Sequence, residues 1–471
     1  MKLIISQKWK LVGYRKLPYI LRPVDGGNDL FLNEEEFRQL SKCNGLHDIT
    51  ENAFIKLLMD RGILEKTEDA VWFSRYTFYD VKYRSSIHWS ITGHCNYRCR
   101  HCFMDAPEAR FPQPTLDELK DYIEQMAECG IQMVDITGGE PLVHPDFLEI
   151  ADCLLEHGIR ISAIYSNGKL VTEKLMQELS RRKIRCAFQF SYDGTEGWHD
   201  WLRNVEGAEA DVLKAFELCR KYRHPVSVSM CVHKGNMHTV RDSIRLLAAN
   251  GVQSVKLNAV RALGAWKKYP DYLLSREEIC NVYLDYIPKY FEDNAPTDLI
   301  LDGFFEYNRG SQSYRMGFIR DCAAEAIGDC YVCSMTRVNC YIGADGQVVP
   351  CMSMAGTEMG RKFPSLKEMS LKDIFNDSYL SWASGVTIKD IAEHNQKCGN
   401  CEYLGDCSGG CRATAVGEEY DDYLMPDEET CRFFKDRWAD RIKAVADGPF
   451  QEYIERSKAH MSLRKNKQGE I

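Results

Sequence analysis

With 471 residues, a mass of 54.2 kDa and a net charge of −9, the chain is long enough for several folded domains and too acidic for a general phosphate-backbone binder. A composition of 44% hydrophobic and 27% charged residues excludes disorder and collagen-like repeats, no stretch reaches the roughly 18 apolar residues of a membrane span, and Met1–Lys10 offers only Leu3–Ile5 toward a signal peptide or anchor. Twenty cysteines without an export signal imply a cytoplasmic chain with reduced thiols, serving as metal ligands or redox centres rather than disulfides.

Residues 1–82 read as a small unit of balanced charge. Strand-like pieces fall at Trp9–Tyr14, Tyr19–Pro23 and Leu30–Leu32. Two helical patterns follow. In NEEEFRQLSKCNG, Asn33 caps and Gly45 stops the first; in TENAFIKLLMDRG, Thr50 caps and Gly62 stops the second. ILEKTEDAVWF then has the outline of a short two-stranded wing, so the unit is expected to be winged-helix-like, α+β.

From about Ser86 short β-branched or aromatic runs alternate with amphipathic helices, the pattern of parallel βα units. Six strands are expected, at Ile87–Thr92, Met133–Thr137, Ile161–Tyr165, Cys186–Ser191, Val226–Val232 and Ser254–Val260. Between them lie helices such as TLDELKDYIEQMAECG, capped by Thr115 and stopped by Gly130, and MHTVRDSIRLLAANG. Six units do not close an eight-stranded barrel, so residues 83–318 predict an α/β fold, a partial (β/α)6 TIM-like barrel with its chemistry at the carboxyl ends of the strands. A helical stretch at Glu277–Phe291 leads to a cysteine-rich domain, residues 319–440, with few long apolar stripes. Something other than a hydrophobic core must hold it. Residues 441–471 read as a helix and polar tail.

Directly after the first barrel strand, TGHCNYRCRHCFMD sets Cys95, Cys99 and Cys102 in a C-x3-C-x2-C array. A structural zinc site takes four ligands and so does an ordinary cubane cluster. A triad therefore suggests a four-iron cluster with one iron open to a substrate. The second strand ends in VDITGGEPL, where Gly138 and Gly139 let backbone approach a ligand and Glu140 can accept from an ammonium group.

These residues resemble the radical S-adenosylmethionine enzymes, whose cluster loop has this spacing and whose second strand ends in GGE. The resemblance extends to FSYDGTEGWHDWLRNVEGA, Phe190 to Ala208, and implies that Ser191 and Arg203 hold the carboxylate of S-adenosyl-L-methionine. By the same likeness YSNG offers Ser166 or Asn167 to its ribose. A charge-assisted fork supports Arg203, while a surface ion pair is its plainer alternative, as turn capping is for Asp193 and Asn167.

Further on, Cys340-x5-Gly346-x4-Cys351, then Cys398-x2-Cys401-x5-Cys407-x3-Cys411 and finally Cys431, resemble the seven-cysteine SPASM extension, with Cys333 matching an eighth ligand. Carried over by position, a first auxiliary cluster would use Cys333, Cys340, Cys351 and Cys411, and a second Cys398, Cys401, Cys407 and Cys431. That makes three [4Fe-4S] clusters in all. Cys322 and Cys330 fall outside the pattern; Cys330 reads as a replacement ligand, a substrate contact or a loop cysteine.

The N-terminal outline is similar to the element fused to maturases of ribosomally made peptides, which binds a precursor's leader by adding it as a strand. Its balanced charge favours a peptide over DNA. The resemblance thus implies a radical oxidoreductase, served by a reducing donor such as flavodoxin or ferredoxin, that takes a hydrogen from a precursor peptide and links a cysteine sulfur to carbon as a thioether. Carbon-to-carbon crosslinking and formylglycine formation in sulfatase maturation are the alternatives within that chemistry. A zinc-binding winged-helix regulator is the alternative outside it. Neither nucleic acid nor membrane is an expected partner, and no residue stands out as a general base.

Overall fold

The computed structural model describes residues 1–24, 27–68, 76–104, 111–262, 264–317, 324–355, 357–417 and 422–468. The N-terminal unit runs β1 (Lys2–Ile5), β2 (Trp9–Tyr14), β3 (Tyr19–Pro23), β4 (Leu30–Leu32), α1 (Glu34–Ser41), β5 (Asn44–Asp48), α2 (Ala53–Asp60), β6 (Leu64–Lys66) and β7 (Tyr76–Tyr79). These form two small sheets, β5-β1-β6 and β4-β3-β2-β7, over a core that includes Leu3, Leu11, Leu21, Leu40 and Ile55.

Asn33 caps α1 in a reciprocal pair with Glu36. The helix ends at Ser41, ahead of Gly45, which falls inside β5. The cap of α2 is Asn52 rather than Thr50: its side chain accepts from the Ile55 N–H at 2.9 Å, the reach an N-cap requires. Of the expected wing, the first half forms β6, paired with β1, and the second half lies outside the described residues.

The barrel follows as β8 (Ser86–Ser90), α3 (Leu116–Glu128), β9 (Met133–Thr137), α4 (Phe147–Glu156), β10 (Arg160–Ser166), α5 (Glu173–Arg181), β11 (Ala187–Ser191), α6 (Trp198–Arg203), α7 (Ala208–Tyr222), β12 (Val226–Val232), α8 (Val240–Ala249), β13 (Ser254–Ala259), α9 (Arg276–Glu292) and β14 (Asp298–Leu301). All six expected strands form. The extra one, β14, extends the parallel sheet beside β13 and is only four residues long, too short for a periodic signal. A hairpin, β15 (Phe305–Asn308) with β16 (Ser313–Met316), closes off that edge antiparallel.

The sheet stays open. At its other edge β17 (Tyr341–Ile342) and β18 (Val348–Val349), from the cysteine-rich section, continue it past β8. Among the described residues no helix is long and apolar enough to cross a membrane, the 31-residue helix Trp438–Gln468 included.

Alternation along the strands divides the sheet into two faces. Trp89, Val134, Ile164, Phe188 and Val255 are fully buried, in one core with Leu119, Ile150 and Phe216 of the covering helices. The opposite, concave positions are half-buried and polar. There His88 Nε2 lies 3.2 Å from Asp135, Ser162 donates to Asp135 at 2.5 Å, and Asn258 donates to Ser229 at 3.2 Å. The interior of this partial barrel is therefore lined for a polar occupant rather than packed shut.

The N-terminal unit is docked on both neighbours. Tyr14 donates to the Gly130 carbonyl at the end of α3, and Gln132 donates to Asp29 at 3.1 Å. On the other side Asn376 accepts from Lys82 N and donates to Asp80 O.

Candidate active site and cysteine groups

The cluster loop leaves β8 and is fastened to the ends of the next strands. The N–H groups of Gly139 and Glu140 donate to the carbonyls of Thr92 and His94, each at 2.9 Å. A Cβ on Gly139 would stand 2.2 Å from the His94 oxygen, so this glycine is required by the loop's own backbone. Gly138, at φ 159°, lies against Thr92 in the same way.

Glu140 is buried, and both its oxygens are engaged. It accepts from Leu142 N–H at 3.1 Å, from Asn167 N–H at 2.7 Å, and from the Ser166 hydroxyl at 3.0 and 3.2 Å. Burial pushes its carboxyl up to about 7 against the pull of those bonds. Glu140 thus ties β9 to β10 and does not stand open to an ammonium group as expected. Asn167 reaches from β10 to the loop as well, donating to Asn96 at 2.7 Å.

Arg203 comes from α6. Its Nε and Nη2 both meet Asp193 Oδ2 at 2.7 Å, and Nη1 points at Cys99 Sγ, 3.8 Å away. Asp193 has no exposed surface and also accepts from the Cys231 N–H at 3.0 Å, with His199 Nδ1 at 3.3 Å. Burial alone would raise the Asp193 carboxyl, but Arg203 and His199 outweigh it and hold it well below the usual range. The fork expected on a cofactor carboxylate is thus turned onto Asp193. Ser191 remains half-buried at the end of β11, in register with Ser229.

Behind the loop, Arg100 donates to the Trp201 carbonyl and to Tyr269 Oη and lies 5.0 Å from the Trp201 ring centre. Sequence reading missed this support. It also missed the role of Asp193, although the S-x-D-G segment marked its position.

Cys102 is close enough to Cys95 and Cys99 to raise the pKa of both. Burial first, then Glu140 and the two neighbouring thiols, push Cys95 up to about 12 against the Tyr97 N–H, so a metal centre forming here must displace thiol protons. In the C-terminal domain Cys398, Cys401, Cys407 and Cys431 line one small cavity together with Tyr403 and Phe434. Cys333 and Cys351 form a second group with Cys411, which lies close enough to raise the thiols of both.

Cys340 stands apart. It is fully buried, pushed up to about 11 by burial with Arg84 offsetting, and its thiol acts on Cys129 rather than on that trio. Cys330 is disulfide-bonded, an exception to the expected reduced thiols and not a free ligand, and Cys322 lies outside the described residues. Between trio and quartet sits Arg412, buried and donating to the carbonyls of Tyr423, Met425 and Gly409.

Among the described residues no three His, Cys, Asp or Glu side chains converge within reach of one metal ion. The cysteines stand instead as separate groups, and the quartet surrounds a shared space, as thiolates arranged about a multi-iron cube do. The donor chemistry fits: each group is built of thiols, and buried arginines at Cys99 and near Cys411 oppose the negative charge of thiolate-bound clusters.

Family comparison settles the class. The Radical SAM superfamily model matches residues 89–247, and the SPASM model, an iron-sulfur cluster-binding domain, matches 333–402. The chain carries a radical SAM domain followed by a SPASM domain. These domains imply [4Fe-4S] clusters and S-adenosylmethionine as cofactors. An AdoMet-dependent heme synthase of Methanosarcina barkeri is 26% identical over 72% of this chain and 93% of its own length. The subtilosin biosynthesis protein AlbA of Bacillus subtilis is 24% identical over 68% of this chain and 65% of its own. Streptococcus suis SuiB, solved with its precursor peptide SuiA, shares the fold over 91% of this chain and 100% of its own, with a TM-score of 0.61 at 14% identity.

Proposed function

We propose that this radical SAM and SPASM chain is a peptide maturase that joins a cysteine sulfur to a carbon of another residue in a ribosomally made precursor. The observation that carries the reading is the N-terminal unit, which presents β4 as a sheet edge and is braced against both barrel and SPASM domain. The whole chain's likeness in fold to SuiB, over 91% of its length, supports the same reading. The heme synthase match favours a porphyrin substrate instead. It takes up 93% of that protein but only 72% of this chain, however, and so leaves the remainder without a counterpart.

In this proposal Cys95, Cys99 and Cys102 hold the cluster that binds S-adenosylmethionine. The trio Cys333, Cys351 and Cys411 and the quartet Cys398, Cys401, Cys407 and Cys431 hold two more. Bound there, these groups supply a radical that removes hydrogen from carbon and a sink for the remaining electron. The chain's own residues do the rest. Arg203, locked by Asp193, and Glu140, bonded to Ser166 and Asn167, fix the cluster loop; Ser191 offers its hydroxyl to the cofactor carboxylate. The concave face, with His88, Asp135 and Asn258, orients a polar peptide and leaves room for it between the walls.

Thioether formation removes one hydrogen from sulfur and one from carbon. Anaerobic incubation of the reconstituted protein with candidate peptides encoded beside its gene, followed by mass spectrometry, is expected to give a product lighter by two hydrogens with one cysteine no longer alkylatable. A two-hydrogen loss with every cysteine still alkylatable would shift the reading to a carbon-to-carbon link. A modified porphyrin with unmodified peptides would end it.

A further inference from the structure

Where the N-terminal unit meets the SPASM domain lies a cleft of about 670 Å³. Four cations line it, Lys16, Lys82, Arg84 and Arg337, against the single carboxylate of Asp329. Among the described residues none of the four forms an ion pair with a carboxylate.

Arg84 is the most constrained. It is 3% exposed, and its guanidinium donates to the carbonyls of Thr336 and Asn339 and to Ser384 Oγ, while Nε has no partner. A buried guanidinium without a counter-charge is costly, and such frustration marks places where a ligand completes the site. Lys82 shows the same crowding. It donates to Asn376 O and Ser381 Oγ, and burial followed by the charge of Lys16 lowers its pKa; Asp377, outside the cleft, offsets part of this, and Arg15 and Arg84 add to it.

The walls are not only basic. Leu17, 65% exposed, and Phe31, 62% exposed, open onto the same cleft, and Phe31 belongs to β4, the free edge of its sheet. Cations, exposed apolar side chains and an unpaired strand edge together match an extended peptide with acidic and apolar residues. A small inorganic anion would use only the first of these features. A long polyanion would meet the field of a chain with net charge −9.

We propose that this cleft holds an acidic stretch of the substrate peptide, its carboxylates on Lys16, Lys82, Arg84 and Arg337 and its apolar side chains against Leu17 and Phe31. The assignment rests on the peptide-maturase reading and adds the chemistry of the segment recognised.

The test uses the full-length, anaerobically reconstituted protein and a fluorescein-labelled peptide of repeated Glu-Leu-Glu-Gly, with a Gln-for-Glu peptide as control, followed by fluorescence anisotropy. The Glu peptide is expected to bind at least about tenfold more tightly than its Gln counterpart, and the margin should shrink as salt is raised. The double variant Lys16→Glu with Arg337→Glu, both at exposed positions, should abolish that margin, whereas Lys214→Glu on α7, outside the cleft, should leave it intact. Equal binding of the two peptides, no effect of the double variant, or binding of pyrophosphate alone would overturn the assignment. Deoxyadenosine formation from S-adenosylmethionine in the double variant separates the cleft from the enzyme, since neither substituted residue lies at the cluster loop. A protein that binds the Glu peptide yet modifies no peptide would leave the cleft standing and remove the maturase reading.

Discussion

Asp193 is an ionised carboxylate with no exposed surface, kept so by Arg203, His199 and the N–H of Cys231. Replacing it with Asn would leave the Arg203 cation buried without its partner. Asp193→Asn is therefore expected to lower stability by about 3–5 kcal/mol in urea unfolding of the metal-free chain. The carboxyl pKa is depressed on folding, so the pair's contribution is complete above the ordinary value of 3.8 and is lost only as pH falls through the lower folded value. Across about pH 5 to 8 the deficit should hence be flat; a deficit that vanishes at the acid end of that window would show another group at work. The S-x-D-G segment made the position of Asp193 legible, but its partner was not, because Arg203 reaches it only after α6 folds back across the end of β11. Glu140 was misjudged for a similar reason: nothing in GGE itself reveals that Ser166 and Asn167, on another strand, occupy its oxygens.

At the level of elements, the strands with strong β-branched runs and the helices with Thr115- or Asn33-type caps were readable, because local chemistry alone determines them. The Gly139 turn is less forgiving than its sequence suggests. Gly139→Ala drives a Cβ into the His94 carbonyl and is expected to displace the cluster loop, with loss of about a third of the roughly 12 irons that three cubanes would bring. Full iron by colorimetric assay would show that the loop can give way.

Cysteine spacing and side-chain placement diverge at one position. Cys340 stands at the entrance to β17, where its carbonyl accepts from the His88 N–H at 2.9 Å and its side chain is drawn into the core. Pairing with β8, which no local spacing encodes, decides that orientation. Cys340→Ala should consequently keep its full iron complement, whereas Cys351→Ala should lose about a third. Equal losses from both would return Cys340 to the ligand set.

Across the whole molecule, the three parts share surfaces rather than linkers. Asn376 grips residues 80 and 82 on either side of their backbone, and Lys372 and Arg15 both reach Asp80. The partial barrel and the cysteine-rich domain could each be anticipated from sequence, but this bracing could not, since it depends on contacts separated by nearly 300 residues in the chain.

The β17–β18 hairpin has one last implication. By lying beside β8 it covers backbone groups that would otherwise form a raw border on the strand feeding the cluster loop. A fragment cut off after residue 318 would bare that border to any passing extended chain, and it should self-associate during size-exclusion chromatography where the intact protein does not. The terminal domain is thus a hem for the sheet: evolution could not shed it without first finding another way to keep the chain from sticking to itself.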